Sequence, residues 1–383
     1  MRQLHVIPYY RPATEFGGVQ TVTQQLAEAM ARRGHAVTVL TTDAASRGDR
    51  LLAASERLDG VEVVRLRNLS QRLVRANLYT PRGARRALRT LVAQHDVVHA
   101  HDVFNWLTYR AIAEAARARV PSVLSTDNLL NFQGLPSRVR ARRLLWRLLG
   151  PPTIERVALV HAIRPGELDC AAMGIPAGKV RYVPNGVAYP PPAGDGARFR
   201  VRHGVGDRAV VLFVGQLMQT KGARFLVELA HRWRERDDVV FVFVGYHHPE
   251  VDLTVDGAVP ANARFTGFLS GADLEDAYAA GDLYALPTST DVLPNTLLEA
   301  LARGLPTILS RHAGLPELED AGAGVFVELT TDDLERGVRA LLERRAAWPA
   351  MAAAARRLVE GSFALDRVHD GYARLYAEVV GGG

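Results

Sequence analysis

The stretch LPTSTDVLPNTLLEALARGLP, residues 286–306, sets two carboxylates, Asp291 and Glu299, on either side of a polar, proline-bearing turn. Pro294 followed by Asn295 suits the start of a helix, so Glu299 is expected on its opening turns and Asp291 in the loop before it. A carboxylate accepts hydrogen bonds from two vicinal hydroxyls, the pair that a ribose ring presents. Glu299 fits that role and Asp291 the hydroxyls of a second sugar, with the loop amides beside Val292 and Leu293 against the same ligand. A pair of hydrolytic carboxylates is the rival chemistry, and it needs a separation that the sequence does not fix. A turn aspartate followed by a surface helix glutamate is the plain structural alternative.

Two further stretches point to phosphate. In VGQLMQTKGARFL, residues 214–226, a strand ends at Gly215 and Lys221 with Gly222 opens a helix. Unpaired N–H groups and the positive end of a helix dipole, joined by a mobile lysine charge, suit a diphosphate. The spacing is neither a Walker loop nor a G-x-G-x-x-G fingerprint, so a solvated lysine in an ordinary loop is an equal alternative. In EFGGVQTV the paired glycines Gly17 and Gly18 let the backbone approach a ligand and then start a helix, or simply make a turn.

These residues need a scaffold, and 383 residues suit two domains. A content of 48% hydrophobic and 23% charged residues is that of a folded globular protein. Neither an apolar run of about 18 residues nor a signal-peptide core is present, so a cytoplasmic location is expected. The lone Cys170 excludes a disulfide framework and a cysteine metal site and reads as a small hydrophobe. The formal charge of +6 and pI near 9.6 favour anionic partners. Lysine occurs only at Lys179 and Lys221; the rest of the 47 basic residues are arginine.

Apolar runs alternate with helical patterns: LHVIPY, then GGVQTVTQQLAEAMARRGH, then AVTVLTT, followed by DVVHAH, PSVLST and VALVHAI. The alternation breaks at PNGVAYPPPAGDG, residues 184–196, which reads as an interdomain linker. A second series starts at AVVLFVGQL and continues through VVFVFVG, ARFTGF, LYALPT and PTILS. Two α/β halves with parallel sheets follow, each binding ligands beyond the carboxyl ends of its strands, with a cleft between them. A final helix is expected over FALDRVHDGYARLYAEVV, with Phe363, Val368, Tyr372, Leu375 and Tyr376 on its apolar face.

With these elements in order, the chain resembles the large family of retaining glycosyltransferases of GT-B fold known as family 4. The resemblance is carried by GGVQTVTQQLAEAMARRGHAVTVLTT, DVVHAHD, RYVPNGV, VGQLMQTKG, RFTGFLS and DVLPNTLLEALARGLPTILS, in family order. It implies an acceptor domain at 1–188, a donor domain at 189–362 and a last helix at 363–383 returning to the first. It implies a nucleotide-sugar donor, UDP foremost, a hydroxyl acceptor on a glycan, lipid or small molecule, and no metal or other cofactor. Glu299 matches the glutamate on the donor ribose, Asp291 the acidic position at the donor sugar, and Lys221 the diphosphate lysine. The backbone around Phe268 matches the nucleobase segment, and Gly17 and Gly18 the loop over phosphate and acceptor. No covalent sugar adduct is implied; the leaving phosphate takes the acceptor's proton on the same face.

The departures are specific. Gln216 stands where the family usually has arginine, which removes one diphosphate charge unless another arginine such as Arg224 replaces it. Asp291 is one methylene shorter than the usual glutamate, Val292 replaces a common glycine, and VGYHHPE lacks the usual glycine-rich turn. Asp127 in SVLSTDN stands where many relatives place a histidine near the reacting sugar. These departures keep open a sugar-nucleotide-binding protein without transfer activity.

His99 and His101 share one side of a strand; no third metal ligand is evident, and His101 is the better acceptor-side candidate. The basic run SRVRARRLLWRLLG, residues 137–150, is expected to pack one apolar face on its own domain. Its alternative is contact with an anionic membrane at the inner face, as in a membrane-surface adaptor. Nucleic acid is not expected, since no binding motif accompanies the charge.

Overall fold

The computed structural model describes residues 1–13, 18–46, 48–51, 54–126, 136–165, 170–248 and 251–382, without the side chains of 136–138. The described chain divides into two compact units, Met1–Pro184 with Asp366–Gly383, and Asn185–Leu365.

The first unit is built on eight strands: β1 (Arg2–Val6), β2 (Ala36–Thr42), β3 (Ser55–Leu58), β4 (Val61–Leu66), β5 (Val97–Ala100), β6 (Ser122–Ser125), β7 (Leu159–Ala162) and β8 (Val180–Tyr182). They lie in the order β3-β4-β2-β1-β5-β6-β7-β8, and all pairs are parallel except β3 with β4. β5, β6 and β7 are buried at every position, as parallel strands covered on both faces must be. The helix Leu365–Gly381 turns Val368, Tyr372, Leu375, Tyr376 and Val379 inward at three- and four-residue spacing, into a core with Leu26, Met30 and Val39. The helix Pro136–Arg156 ends under Lys179, whose Nζ donates to the carbonyls of Ile154 (2.7 Å), Glu155 (3.2 Å) and Val157 (2.9 Å). The ammonium satisfies acceptors that a helix C-terminus leaves unpaired.

The second unit has six strands, β9 (Ala209–Val214), β10 (Val239–Val244), β11 (Ala263–Gly267), β12 (Leu283–Leu286), β13 (Thr307–Ser310) and β14 (Gly324–Val327). Their order is β11-β10-β9-β12-β13-β14, all parallel. The direction of winding reverses between β9 and β12, so the loops leaving these two strands adjoin at a topological switch point.

The stretch read as a linker is more structured than its composition suggests. It runs directly into the helix Gly196–Arg202, capped by the Asp195 carboxylate, which accepts from the Arg198 amide at 2.9 Å. A Cβ at Gly194 or Gly196 would lie 2.1 Å from the carbonyl of Glu275 or 2.5 Å from that of Ala279. The glycines are there because this segment packs against the backbone of the helix Ala272–Ala280. Just before it, Val187 donates to Phe363 O (2.8 Å) and accepts from the Leu365 amide (3.0 Å), joining the two segments where the chain changes unit.

Candidate active site

In the second unit the loop after β9 makes a short turn, Gln219–Lys221, and passes through Gly222 into the helix Ala223–Arg232. Gly222 has φ +71°, and a Cβ there would fall 1.9 Å from the carbonyl of Pro287, so only glycine lets the two switch-point loops touch. The Ser289 amide donates to Thr220 O at 2.8 Å. Lys221 Nζ reaches both oxygens of Asp291, at 2.6 and 2.7 Å, and Thr288 Oγ donates to Asp291 Oδ2 at 2.6 Å. Both partners are largely buried, with side-chain exposures of 23% and 16%, so this pair is less screened than a surface ion pair.

The acidic loop is anchored by its carbonyls. Val292 O accepts from the Gly314 amide (2.8 Å) and Leu293 O from Asn185 Nδ2 (3.0 Å), while the Leu293 side chain is buried. The amides of Val292 and Leu293 donate to nothing among the described residues. They are two N–H groups beside a lysine, held in place by contacts on their other side.

Glu299 lies on the helix Asn295–Arg303, and its Oε2 accepts from the hydroxyl of Tyr278 at 2.6 Å. Burial raises its pKa, while the Tyr278 hydroxyl and the nearby Arg303 pull it back. Arg303 is fixed in turn by Glu275 and by the carbonyl of Glu299. A half-buried carboxylate given one hydroxyl partner is suited to accept more hydroxyl donors.

Phe268 is half exposed and stacks on Tyr246 with ring centroids 4.5 Å apart and planes 10° apart. The pair borders a cavity of about 750 Å³ beside the ends of β10 and β11, lined also by Leu217, Gly245, Val251 and Gly267. Gln216 is exposed. Arg224 cannot take its place without breaking existing contacts, because its guanidinium binds Glu228 (2.9 Å) and the carbonyls of Asp252 (3.0 Å) and Thr254 (2.5 Å).

In the first unit Gly18 opens the helix Gly18–Arg32, whereas Gly17 and Asp127 lie outside the described residues. His101 sits inside the unit, 2% exposed, with Nε2 3.2 Å from His5 Nδ1. The reading that no third ligand residue is evident beside His99 and His101 is corrected by sheet register. β1 pairs His5 with His99, and ligand nitrogens of the three rings lie within 4.8 Å of one another. Both His99 nitrogens are already engaged at 2.7 Å, by Tyr376 and Ser125, which makes the cluster a polar core.

The proton positions in that core follow from its one carbonyl. Burial holds His161 down to about 4 and His99 well below its ordinary value, so both rings are neutral. His161 Nε2 faces Val183 O at 2.9 Å and must donate; its Nδ1 therefore accepts from Ser125 Oγ (2.7 Å). Ser125 then accepts from His99 Nε2, which leaves His99 Nδ1 to accept from the Tyr376 hydroxyl. The chain of bonds runs in one direction from the last helix across β5, β6 and β7.

Of the residues that sequence reasoning proposed, the structure brings Lys221, Asp291, Val292 and Leu293 together and sets Glu299 on the adjoining helix. Tyr278, Thr288 and Gly314 escaped that reasoning, as did any role for Asn185 in RYVPNGV. Tyr278, Gly314 and Asn185 act on residues distant in sequence, whereas Thr288 acts on Asp291 within the same loop.

Comparison with solved structures identifies the architecture. Sucrose-phosphate synthase from Thermosynechococcus elongatus superposes with a TM-score of 0.77 over 100% of both chains at 18% identity. HepE of Anabaena, in complex with UDP-glucose, gives 0.75 over 99% of this chain and 100% of its own at 17% identity. The fold is that of the GT-B glycosyltransferases. Residues 16–188 match the model of Glycosyltransferase Family 4, and residues 208–344 that of Glycosyl transferases group 1. The chain belongs to glycosyltransferase family 4 and is a glycosyltransferase. Its relatives include an uncharacterized glycosyltransferase of Methanocaldococcus jannaschii, 25% identical over 82% of each chain. D-inositol 3-phosphate glycosyltransferase of Actinosynnema mirum is 28% identical over 85% of this chain and 83% of its own.

Proposed function

We propose that this glycosyltransferase moves a sugar from a nucleotide-sugar donor, with UDP as the nucleotide, to a hydroxyl acceptor with retention at the anomeric carbon and without a metal. The observation that carries the reading is the switch-point arrangement: Lys221 beside the unpaired amides of Val292 and Leu293, anchored through their carbonyls. Donors fixed in advance where charge develops stabilise a departing diphosphate without reorganisation. Glu299, ready to accept hydroxyl donors, takes the ribose, and Asp291 the donor sugar. The bond from the anomeric carbon to the diphosphate breaks as the acceptor oxygen adds on the same face, and the acceptor's proton passes to the leaving phosphate oxygen. The known binding of UDP-glucose by HepE, a protein of the same fold, supports UDP as nucleotide.

Calorimetry with UDP, GDP, ADP and dTDP tests the reading on wild type, Lys221→Ala and Glu299→Ala. UDP is expected to bind most tightly, and each substitution to weaken it about tenfold or more, the loss of a hydrogen bond to a charged group. Binding that ignores both substitutions would reject the site; tighter binding of another nucleotide would reject UDP alone.

A further inference from the structure

A different surface, on the first unit, carries a second property. Between Glu62 and Asp96 the chain has eight arginines and no acidic residue. Arg65 pairs with Glu56 and Arg89 with Glu114. The other six, Arg67, Arg72, Arg75, Arg82, Arg85 and Arg86, are exposed and make no ion pair among the described residues. Exposed leucines are interspersed with them: Leu69 at 69%, Leu73 at 38% and Leu78 at 55%.

This surface is built, not frayed. Asn68 N and Nδ2 donate to Asp43 Oδ1 at 2.9 and 3.0 Å, and Asn68 Oδ1 accepts from the Thr80 amide at 3.0 Å. The Leu69 and Arg82 amides close the base of the loop on Thr80 O (3.0 Å) and Arg67 O (2.8 Å). Val74 and Tyr79 supply its inward contacts, so the three leucines are left facing solvent although the loop has its own apolar anchors. The segment leaves the carboxyl end of β4 and enters the helix Ala84–Val92. That helix packs on Trp106–Ala118, which packs on Pro136–Arg156. The middle helix begins with Trp106, 46% exposed, and the third carries exposed Leu144 and Leu148 beside Arg140 and Arg147.

We infer that the 67–86 surface docks the first unit on an anionic lipid bilayer. Arginines that lack acidic partners attract lipid phosphates, and leucines between them enter the headgroup–acyl boundary. Nucleic acid would use the charge but not the aliphatic side chains, and it calls for stacking aromatics. The one aromatic residue within 67–86, Tyr79, is buried. The inference concerns where the enzyme works and stands apart from the donor assignment.

The test is co-sedimentation of the full chain with vesicles of phosphatidylcholine alone and of phosphatidylcholine with phosphatidylglycerol, at physiological salt. Wild type is expected to pellet only with the anionic vesicles. The variant Arg72→Gln/Arg75→Gln/Arg85→Gln/Arg86→Gln should lose about fivefold in partitioning per charge removed. Leu73→Ser/Leu78→Ser should also bind less, with the thermal midpoint and UDP binding of both variants unchanged. A comparison variant, Arg140→Gln/Leu144→Ser/Leu148→Ser, should keep most of the binding. The inference is overturned if wild type stays in the supernatant or if the first two variants pellet like wild type. It is equally overturned if only the 140–148 variant fails to bind, or if the arginines prove to bind single-stranded RNA and not vesicles.

Discussion

At the scale of single residues, the lysine proposed to meet the donor diphosphate is already paired. Asp291 holds Lys221 through both carboxylate oxygens, so an incoming diphosphate must compete with a carboxylate for the ammonium. Asp291→Asn removes that competitor and its negative charge. It is expected to bind UDP several-fold more tightly while transfer falls, because the hydroxyl acceptor at the donor sugar is weakened; calorimetry beside a turnover assay reads the two effects separately. Unchanged UDP affinity would mean that the pair opens at no cost. Lys221, Asp291 and Glu299 were legible in the sequence because each sits at a local signal: a lysine at a helix start, or carboxylates around a proline turn. The three-histidine core was not legible. His5 is more than ninety positions from His99, and only the parallel register of β1 and β5 sets them side by side.

At the scale of elements, the alternation of apolar runs and helical patterns was enough for two largely parallel sheets, since the central strands β5, β6, β7, β9, β10, β12 and β13 are short apolar runs buried at every position. Composition misled at residues 194–196, where glycine marks close backbone packing and not slack chain. The last helix was visible from the spacing of Val368, Tyr372 and Tyr376, but its polar docking was not, because Ser125, His161 and Val183 lie on other elements. Tyr376→Phe deletes the hydroxyl that donates to His99 Nδ1 and leaves a buried acceptor unsatisfied. A loss of about 1–3 kcal/mol of stability is expected by urea unfolding. No loss would show that this hydroxyl contributes nothing to holding the last helix on His99.

At the scale of the whole molecule, buried imidazoles are gathered in one unit. His5, His99, His101, His161 and His369 all belong to the first and are all held below their ordinary value, chiefly by burial; His5 lies at about 3, and His161 and His369 at about 4. Below pH 6.5 the unfolded chain binds protons that the folded unit refuses, so stability is full above that pH and drains away as pH falls toward 4. Asp102, raised to about 6 by burial, acts in the opposite sense but alone. Amide exchange followed from pH 7 to pH 4.5 should therefore speed up in the first unit before the second; simultaneous loss would contradict this. The two lysines have a bearing on protein chemistry as well. Lys179 spends its ammonium on three backbone carbonyls, which leaves Lys221 as the other side-chain amine in 383 residues. Both side-chain amines are thus held by acceptors, Lys221 by Asp291. A nucleotide diphosphate that drew Lys221 away from that carboxylate would change the reactivity of one of only two lysines toward an acylating reagent, a readout of the proposed donor site that needs no engineered residue.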